Sequence, residues 1–195
     1  MTMLVSKAMR AFSERAQTEG VGDAMSWAWA RFLAEMRRDA VAQISQLTSH
    51  IYLGPQYGQS GKRALAELGI SATVNLRAEF DDEAEGLTLQ YYCHLPTQDE
   101  EAPALEQLDE GVTFIRDCVA AGRKVYIHCA AGIGRAPTMA AAYFISAGLR
   151  PQQAIRFIRS ARPVVRPTLA QMAQLLRWEE RWLARQLTKG LNATG

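Results

Sequence analysis

A chain of 195 residues, 48% of them hydrophobic, is long enough to bury one substantial core and carry an appendage. Its 22 Lys and Arg nearly balance 20 Asp and Glu, and a net charge of +2 lacks the basic excess that marks nucleic-acid binding. Cys93, Cys118 and Cys129, three cysteines at irregular spacing, exclude a disulfide framework and fit a reducing compartment. No apolar run reaches the ~20 residues of a membrane span, and the first ten residues lack the apolar core of a signal peptide. The expected location is the cytoplasm.

Residues 1–48 form a segment distinct from the rest. After Gly22, with Asp23 as a cap, Trp27, Trp29, Phe32, Leu33, Met36, Val41, Ile44 and Leu47 lie among charged residues and predict a long amphipathic helix. Its simplest role is to dock on the neighbouring domain. The mixture of Trp, Phe and Arg also suits peripheral membrane contact through residues 23–47. From His50 the pattern becomes strand–helix alternation. His50–Gly54 predicts a strand, 60–68 a helix stopped by Gly69, and Thr73–Leu76 a buried strand. Leu87, Leu89, Tyr91 and Cys93 alternate with strand period. Residues 103–121 predict a helix ended by Gly122, and Val125–Ile127 a short strand. Helices follow over 136–147, 151–160 (opened by Pro151) and 168–187. The fold class is therefore α/β, a central mainly parallel sheet flanked by helices, over residues 49–187, with a helical extension over 1–48 and a tail over 188–195.

The chemistry concentrates in His128-Cys129-Ala130-Ala131-Gly132-Ile133-Gly134-Arg135, between a predicted strand and a predicted helix. Chain turning from strand into helix can point successive N–H groups into one concavity, with the positive helix end beside it. Gly132 and Gly134 permit the backbone angles of such a cradle. A phosphate dianion suits it. Cys129 at its start feels the same field, which favours the nucleophilic thiolate. Arg135 can bind two phosphate oxygens at once and stabilise the transition state. An ionised cysteine needs no base, so His128 reads as a residue that orients the loop.

This Cys-x5-Arg loop with a preceding His resembles the signature of the protein tyrosine phosphatase superfamily, and more narrowly that of the dual-specificity phosphatases. The resemblance covers about residues 50–180, through His50–Gly54, Leu68-Gly69-Ile70, Val74-Asn75-Leu76, Arg162-Pro163, Pro167, Gln174-Leu175-Leu176 and Glu179. It implies a dual-specificity-phosphatase-like fold and hydrolysis of phosphomonoesters through a phosphocysteine, without metal or organic cofactor. It also implies a general acid about thirty residues before the nucleophile. In Leu95-Pro96-Thr97-Gln98-Asp99 that residue is Asp99, 30 positions ahead of Cys129; its alternative role is to cap the 103–121 helix. The phosphate-binding loop comprises Ala130, Ala131, Gly132, Ile133, Gly134 and Arg135.

The sequence departs from the family at Ala136, where most members carry Ser or Thr to donate to the departing sulfur. Gly134-Arg135-Ala136-Pro137 resembles the variant of regenerating-liver-type and plant glucan phosphatases, and it puts phosphoenzyme hydrolysis at issue. Thr138 points elsewhere on the helix. Uncharged Ala130, Ala131 and Ile133 lower a phosphoinositide reading, because relatives of that branch place cations there. Arg77 serves either as charge at the mouth or as a solvated surface arginine. Cys118 reads as packed, and Cys93 as packed or as a disulfide partner for Cys129. The expected substrate is a phosphorylated protein or small phosphomonoester. The alternatives are a lipid phosphatase (phosphoinositide or phosphatidylglycerophosphate), a glucan phosphatase, a phosphate-binding pseudophosphatase scaffold and, last, a rhodanese-like sulfurtransferase.

Overall fold

In the computed structural model of the chain, residues 43–192 are described, with side chains to 188, together with Ser13, Ala16, Gln17, Gly22 and Met25. The chain forms two compact units, Met1–Arg38 and Asp39–Gly195. The described positions of the first are helical. Gly22, expected to precede the amphipathic helix, is itself helical. Except at Met25, that helix up to residue 42, and any membrane contact through it, lies outside the described residues.

The second unit contains strands β1 (Ser45–Gln46), β2 (Ile51–Gly54), β3 (Ile70–Arg77), β4 (Tyr91–Thr97) and β5 (Lys124–His128). They form one five-stranded sheet in the order β1-β2-β5-β3-β4, parallel throughout except for the antiparallel pair β1–β2. Its helices are α1 (Gln59–Glu67), α2 (Leu105–Ala120), α3 (Arg135–Ser146), α4 (Pro151–Ala161) and α5 (Leu169–Asn192). The expected α/β architecture is present, and α5 runs five residues beyond the helix predicted to end at 187.

Strand periodicity sorts the core. Tyr52, Tyr126 and Thr73 stand side by side across β2, β5 and β3, and so do Leu53, Ile127 and Val74 one residue on. Successive strand residues face opposite sides. Tyr52 and Tyr126 pack with Tyr57, Leu65 of α1, Ile70 and Leu87 in a smaller core. Leu53, Val74 and Ile127 join the larger core under α2, α3, α4 and α5. Covering both faces explains why Val125, Tyr126 and Ile127 of β5 form an unbroken apolar run and why Thr73 and Asn75 of the alternating β3 are buried as well. In α3, ten of twelve residues are buried, so it is the central helix of the larger layer, and its small Ala140, Ala141 and Ala142 allow neighbours close. Gly111 of α2 serves the same packing: a Cβ there would come 2.5 Å from Met139 Sδ.

Two predicted elements differ. Ile44 and Leu47 do not end a helix; Ser45 and Gln46 pair with Leu53 and Tyr52 as an edge strand. The N–H groups of Leu47 and Thr48 both donate to Ile51 O, at 2.9 and 3.2 Å, and Leu47 enters the larger core. Hairpin pairing with β2 overrides the helical period there. The Leu87–Leu89 stretch is not strand either. Leu87 N donates to Asp82 O at 2.7 Å, closing a turn that presses Leu87 onto Tyr57. The strand starts at Tyr91.

Candidate active site

The period-two alternation of β5 puts Tyr126 and His128 on the smaller-core face, and Cys129 is the first residue beyond the sheet. The chain from Cys129 to Gly134 then turns into α3, whose first helical residue is Arg135. Four successive carbonyls of this turn are tied to the surrounding framework. Ala130 O accepts from Gln56 N at 3.2 Å and Ile133 O from Arg166 N at 2.9 Å. Between them the Arg162 guanidinium donates through NH2 to Ala131 O (2.9 Å) and through Nε to Gly132 O (2.8 Å). In a trans peptide the following N–H points opposite to the carbonyl. Anchoring carbonyls 130 to 133 outward therefore turns the N–H groups of Ala131, Gly132, Ile133 and Gly134 to the other side. That side is where the sulfur lies: Gly132 N–H donates to Cys129 Sγ at 3.3 Å. The result is a nest of amides around a buried thiol at a helix start with no side-chain cap.

The two loop glycines are needed for different reasons. Gly132 has φ +66°, and a Cβ there would stand 2.5 Å from Gly54 O, so the loop passes directly against β2. Gly134 has φ −118°, an ordinary value, contrary to the expectation of a special backbone angle. It is glycine because the Gln171 side chain fills the space, 2.9 Å from where a Cβ would be. Arg162 is almost fully buried and also donates to Gln43 O at 2.8 Å, which ties the loop to the segment before β1. Burial lowers the Arg162 pKa, partly offset by Tyr126 and Cys129 nearby.

Arg135, buried at 2% exposure, has its orientation fixed. Glu79 receives NH1 and NH2 in a bidentate pair at 2.8 and 2.9 Å, and NH1 also donates to Thr97 O at 2.8 Å. NH2 forms an ion pair with Asp99 Oδ1 at 3.0 Å. Burial opposes the Arg135 charge, but the Glu79 hydrogen bonds, with Cys129 and Asp99 nearby, raise its pKa overall. Burial likewise opposes the Glu79 carboxylate, and the Arg135 hydrogen bonds outweigh it, holding that pKa down at about 2 against 4.5. Arg77 is not a solvated arginine: its Nε donates to Glu79 Oε1 at 3.0 Å, and its guanidinium lies over Phe80.

Asp99 is thus brought to Arg135 and does not cap α2. That helix is capped by Gln107 Oε1, which accepts from Ala104 N at 2.8 Å. The loop carrying Asp99 is held by the start of α5, where Gln171 donates to Glu101 O (2.8 Å) and Gln174 to Pro103 O (3.0 Å). Gln171 therefore stands against both the loop that carries Asp99 and the Cys129–Gly134 turn. His128 is fully buried, with Nε2 2.7 Å from Asp82 Oδ2. Thr138 Oγ1 donates to Gly134 O at 2.9 Å and so is turned away from the sulfur, as expected.

Cys93 and Cys118 are free and buried, and burial pushes the Cys93 thiol up to about 12. Cys93 pairs with Val74, which pairs with Ile127 on the opposite side. Two strand spacings place Cys93 roughly 10 Å from β5, beyond the reach of a disulfide to Cys129 without backbone movement.

Sequence reasoning reached Cys129, Arg135, Asp99 and His128 and missed Glu79, Asp82, Arg162 as a loop anchor, Gln56 and Gln171. A buried arginine needs an anion. That requirement alone pointed to a carboxylate, but it does not distinguish Glu79 from Asp81, Asp82 or Glu83.

A buried thiol in an amide nest, closed by an oriented arginine with a carboxylate beside it, defines a cysteine-dependent phosphate-handling site. The family model described as "Dual specificity phosphatase, catalytic domain" matches residues 51–181, and the chain belongs to that family. Dual specificity protein phosphatase 1 of Mus musculus is 33% identical over 141 residues, covering 71% of this chain and 38% of that protein. Dual specificity protein phosphatase 5 of Rattus norvegicus is 34% identical over 137 residues, covering 69% and 35%. The chain thus spans well under half the length of these curated relatives. Among solved structures, Tk-PTP in its active form is 31% identical with a TM-score of 0.62, covering 71% of this chain and 97% of that one. PTPMT1 in complex with PI(5)P, at 24% identity and a TM-score of 0.68, covers 73% and 98% and shares the fold.

Proposed function

We propose that this chain hydrolyses phosphomonoesters through a phosphocysteine on Cys129, with phosphorylated protein side chains as the substrate class. The observation that carries the reading is the set of four outward-tied carbonyls, which leaves the amides of residues 131 to 134 facing the Cys129 sulfur. The substrate class rests on the relatives, which are protein phosphatases, and on the uncharged loop residues Ala130, Ala131 and Ile133, which offer no cation for additional phosphates. A reducing location, the cytoplasm, suits a thiol that must stay free.

In the first step the Cys129 thiolate attacks phosphorus and the ester P–O bond breaks. Arg135 and the loop amides take the charge on the equatorial oxygens. A phosphate on Arg135 replaces the Asp99 ion pair, the freed carboxylate takes a proton from solvent, and the Asp99 carboxyl gives that proton to the leaving oxygen. In the second step Asp99 takes a proton from water, the water oxygen attacks phosphorus, the S–P bond breaks, and thiolate and inorganic phosphate result. Glu79 and Thr97 O hold the guanidinium in place throughout.

Asp99→Ala tests the assignment of the acid. An alkyl phosphate, whose leaving group needs the proton, should lose about 10²–10⁴-fold in kcat, and an activated aryl phosphate much less. Equal small losses on both would remove Asp99 from the reaction.

A further inference from the structure

Asp82 lies in the loop between β3 and β4, far in sequence from the nucleophile, and is fully buried. Its backbone is fixed at both ends: N donates to Tyr92 Oη at 3.1 Å, and O accepts from Leu87 N at 2.7 Å. Its carboxylate accepts from Gln56 Nε2 at 2.8 Å and faces Tyr57 Oη at 3.4 Å. The remaining contact, and the shortest, is His128 Nε2 at 2.7 Å. Burial opposes the charge of Asp82, but the His128 hydrogen bond and attraction, with help from Gln56, lower its pKa overall. An ionised carboxylate only accepts, so Nε2 carries the proton.

His128 depends on this partner. Its Nδ1 is buried and, among the described residues, has no hydrogen-bond partner. Its ring is stacked on Tyr126 (5.7 Å, 14°) and meets the edge of Tyr57 at 5.1 Å. Those rings fix its plane, and Asp82 is the polar group that fixes its rotation within that plane. The next residue is Cys129. Gln56 links the same carboxylate to the phosphate loop, since its backbone N donates to Ala130 O.

We infer that Asp82 is a positioning residue for the nucleophile: through His128 it sets the direction in which the chain leaves β5, and so the line along which Cys129 Sγ meets phosphorus. The inference rests on the reading of Cys129 as nucleophile. Because misplacement of a reacting atom acts on the transition state more than on binding, the effect falls on the rate constant of the first step, formation of the phosphocysteine.

The test is a double-mutant cycle of Asp82→Asn and His128→Asn, read in single turnover of an aryl phosphate with enzyme in excess as the rate constant and the half-saturating concentration, with melting curves for each protein. Asparagine cannot satisfy the imidazole N–H and the Gln56 amide as two carboxylate oxygens do. Asp82→Asn should lower the single-turnover rate constant on the order of tenfold to a hundredfold and leave the half-saturating concentration within about threefold. In the His128→Asn background the same change should cost less than about twofold, because a residue acting through another has nothing left to act on. An equal loss in both backgrounds, or a wild-type single-turnover rate constant in Asp82→Asn, overturns the inference. A measurement on the unmodified protein stands beside these variants. An imidazole nitrogen spectrum should show the His128 proton on Nε2, shifted downfield by the short bond; a proton on Nδ1 alone overturns the inference even if Asp82→Asn does not fold. Turnover persisting in Cys129→Ser would instead overturn the nucleophile reading, and the His128 spectrum is independent of that control.

Discussion

Ala136 is the residue whose replacement should speed the proposed reaction. Its methyl group is fully buried at the second position of α3, directly after Arg135. When the proposed phosphocysteine is hydrolysed, charge returns to Cys129 Sγ, to which Gly132 N–H donates at 3.3 Å. The nearest hydroxyl in sequence is already used, since Thr138 Oγ1 donates to Gly134 O at 2.9 Å. A serine at 136 adds one O–H. The carbonyls a helical serine would otherwise seek, four and three residues back, already accept: Gly132 O from Arg162 at 2.8 Å, Ile133 O from Arg166 N at 2.9 Å. The resemblance to family members that carry Ser or Thr at this position implies that the new donor serves the sulfur. A hydrogen bond to a charged group is worth about 1.5–3 kcal/mol, so the second step should accelerate roughly 10- to 100-fold. The first step starts from the thiolate, which the same bond stabilises, and gains nothing. Rapid mixing with an aryl phosphate should show an early burst of product in the native enzyme, a smaller burst in Ala136→Ser, and faster steady-state turnover in the variant. No burst, together with Ala136→Ser no faster than the native enzyme, would refute the reasoning.

Other predictions follow from the surroundings of the loop. Glu79→Gln should lower kcat by loosening the Arg135 clamp. Because the Glu79 pKa falls on folding from 4.5 to about 2, its stabilisation is full above pH 4.5 and is lost as pH falls toward 2. The melting-temperature gap between native protein and Glu79→Gln should hold at neutral pH and close near pH 2; a gap unchanged at that pH would deny the pair a role in stability. Truncation should discriminate between two cut sites. A chain starting at Asp39 keeps β1 and the contacts of Gln43 O (2.8 Å) and Ser45 Oγ (3.4 Å) with Arg162, and should retain activity. A chain starting at His50 loses them and should melt lower and turn over more slowly. Equal melting and turnover of the two would remove the segment before β2 from the support of the site.

What the sequence disclosed and what it hid divide along contact order. Cys129, Arg135 and the strand–loop–helix frame are local, so spacing and residue type reveal them. Asp99 was legible through its loop and its distance from Cys129, although its alternative role as a helix cap had to be settled by tertiary structure. Glu79 and Asp82 sit in an irregular loop rich in carboxylates, where no periodicity selects the one that meets Arg135 or His128. Arg162 acts on carbonyls some thirty residues away, and nothing in Ala-Arg-Pro shows that its guanidinium is buried. The edge strand Ser45–Gln46 was lost in a helix pattern because its two residues are specified by their partners, Leu53 and Tyr52, and not by their own alternation. Gly132 and Gly134 look equivalent in sequence, yet one is required by its backbone angle and the other by the side chain of Gln171.

The central claim is that the phosphoryl group passes through Cys129 Sγ. Rapid acid quench of the native protein during turnover of an aryl phosphate, followed by peptide mass analysis, tests it most directly. The account predicts a phosphate adduct on the peptide bearing Cys129, larger in the native enzyme than in Ala136→Ser and absent from Cys129→Ser, which should also lose turnover. An adduct on His128 or any other residue, or undiminished turnover in Cys129→Ser, would contradict it.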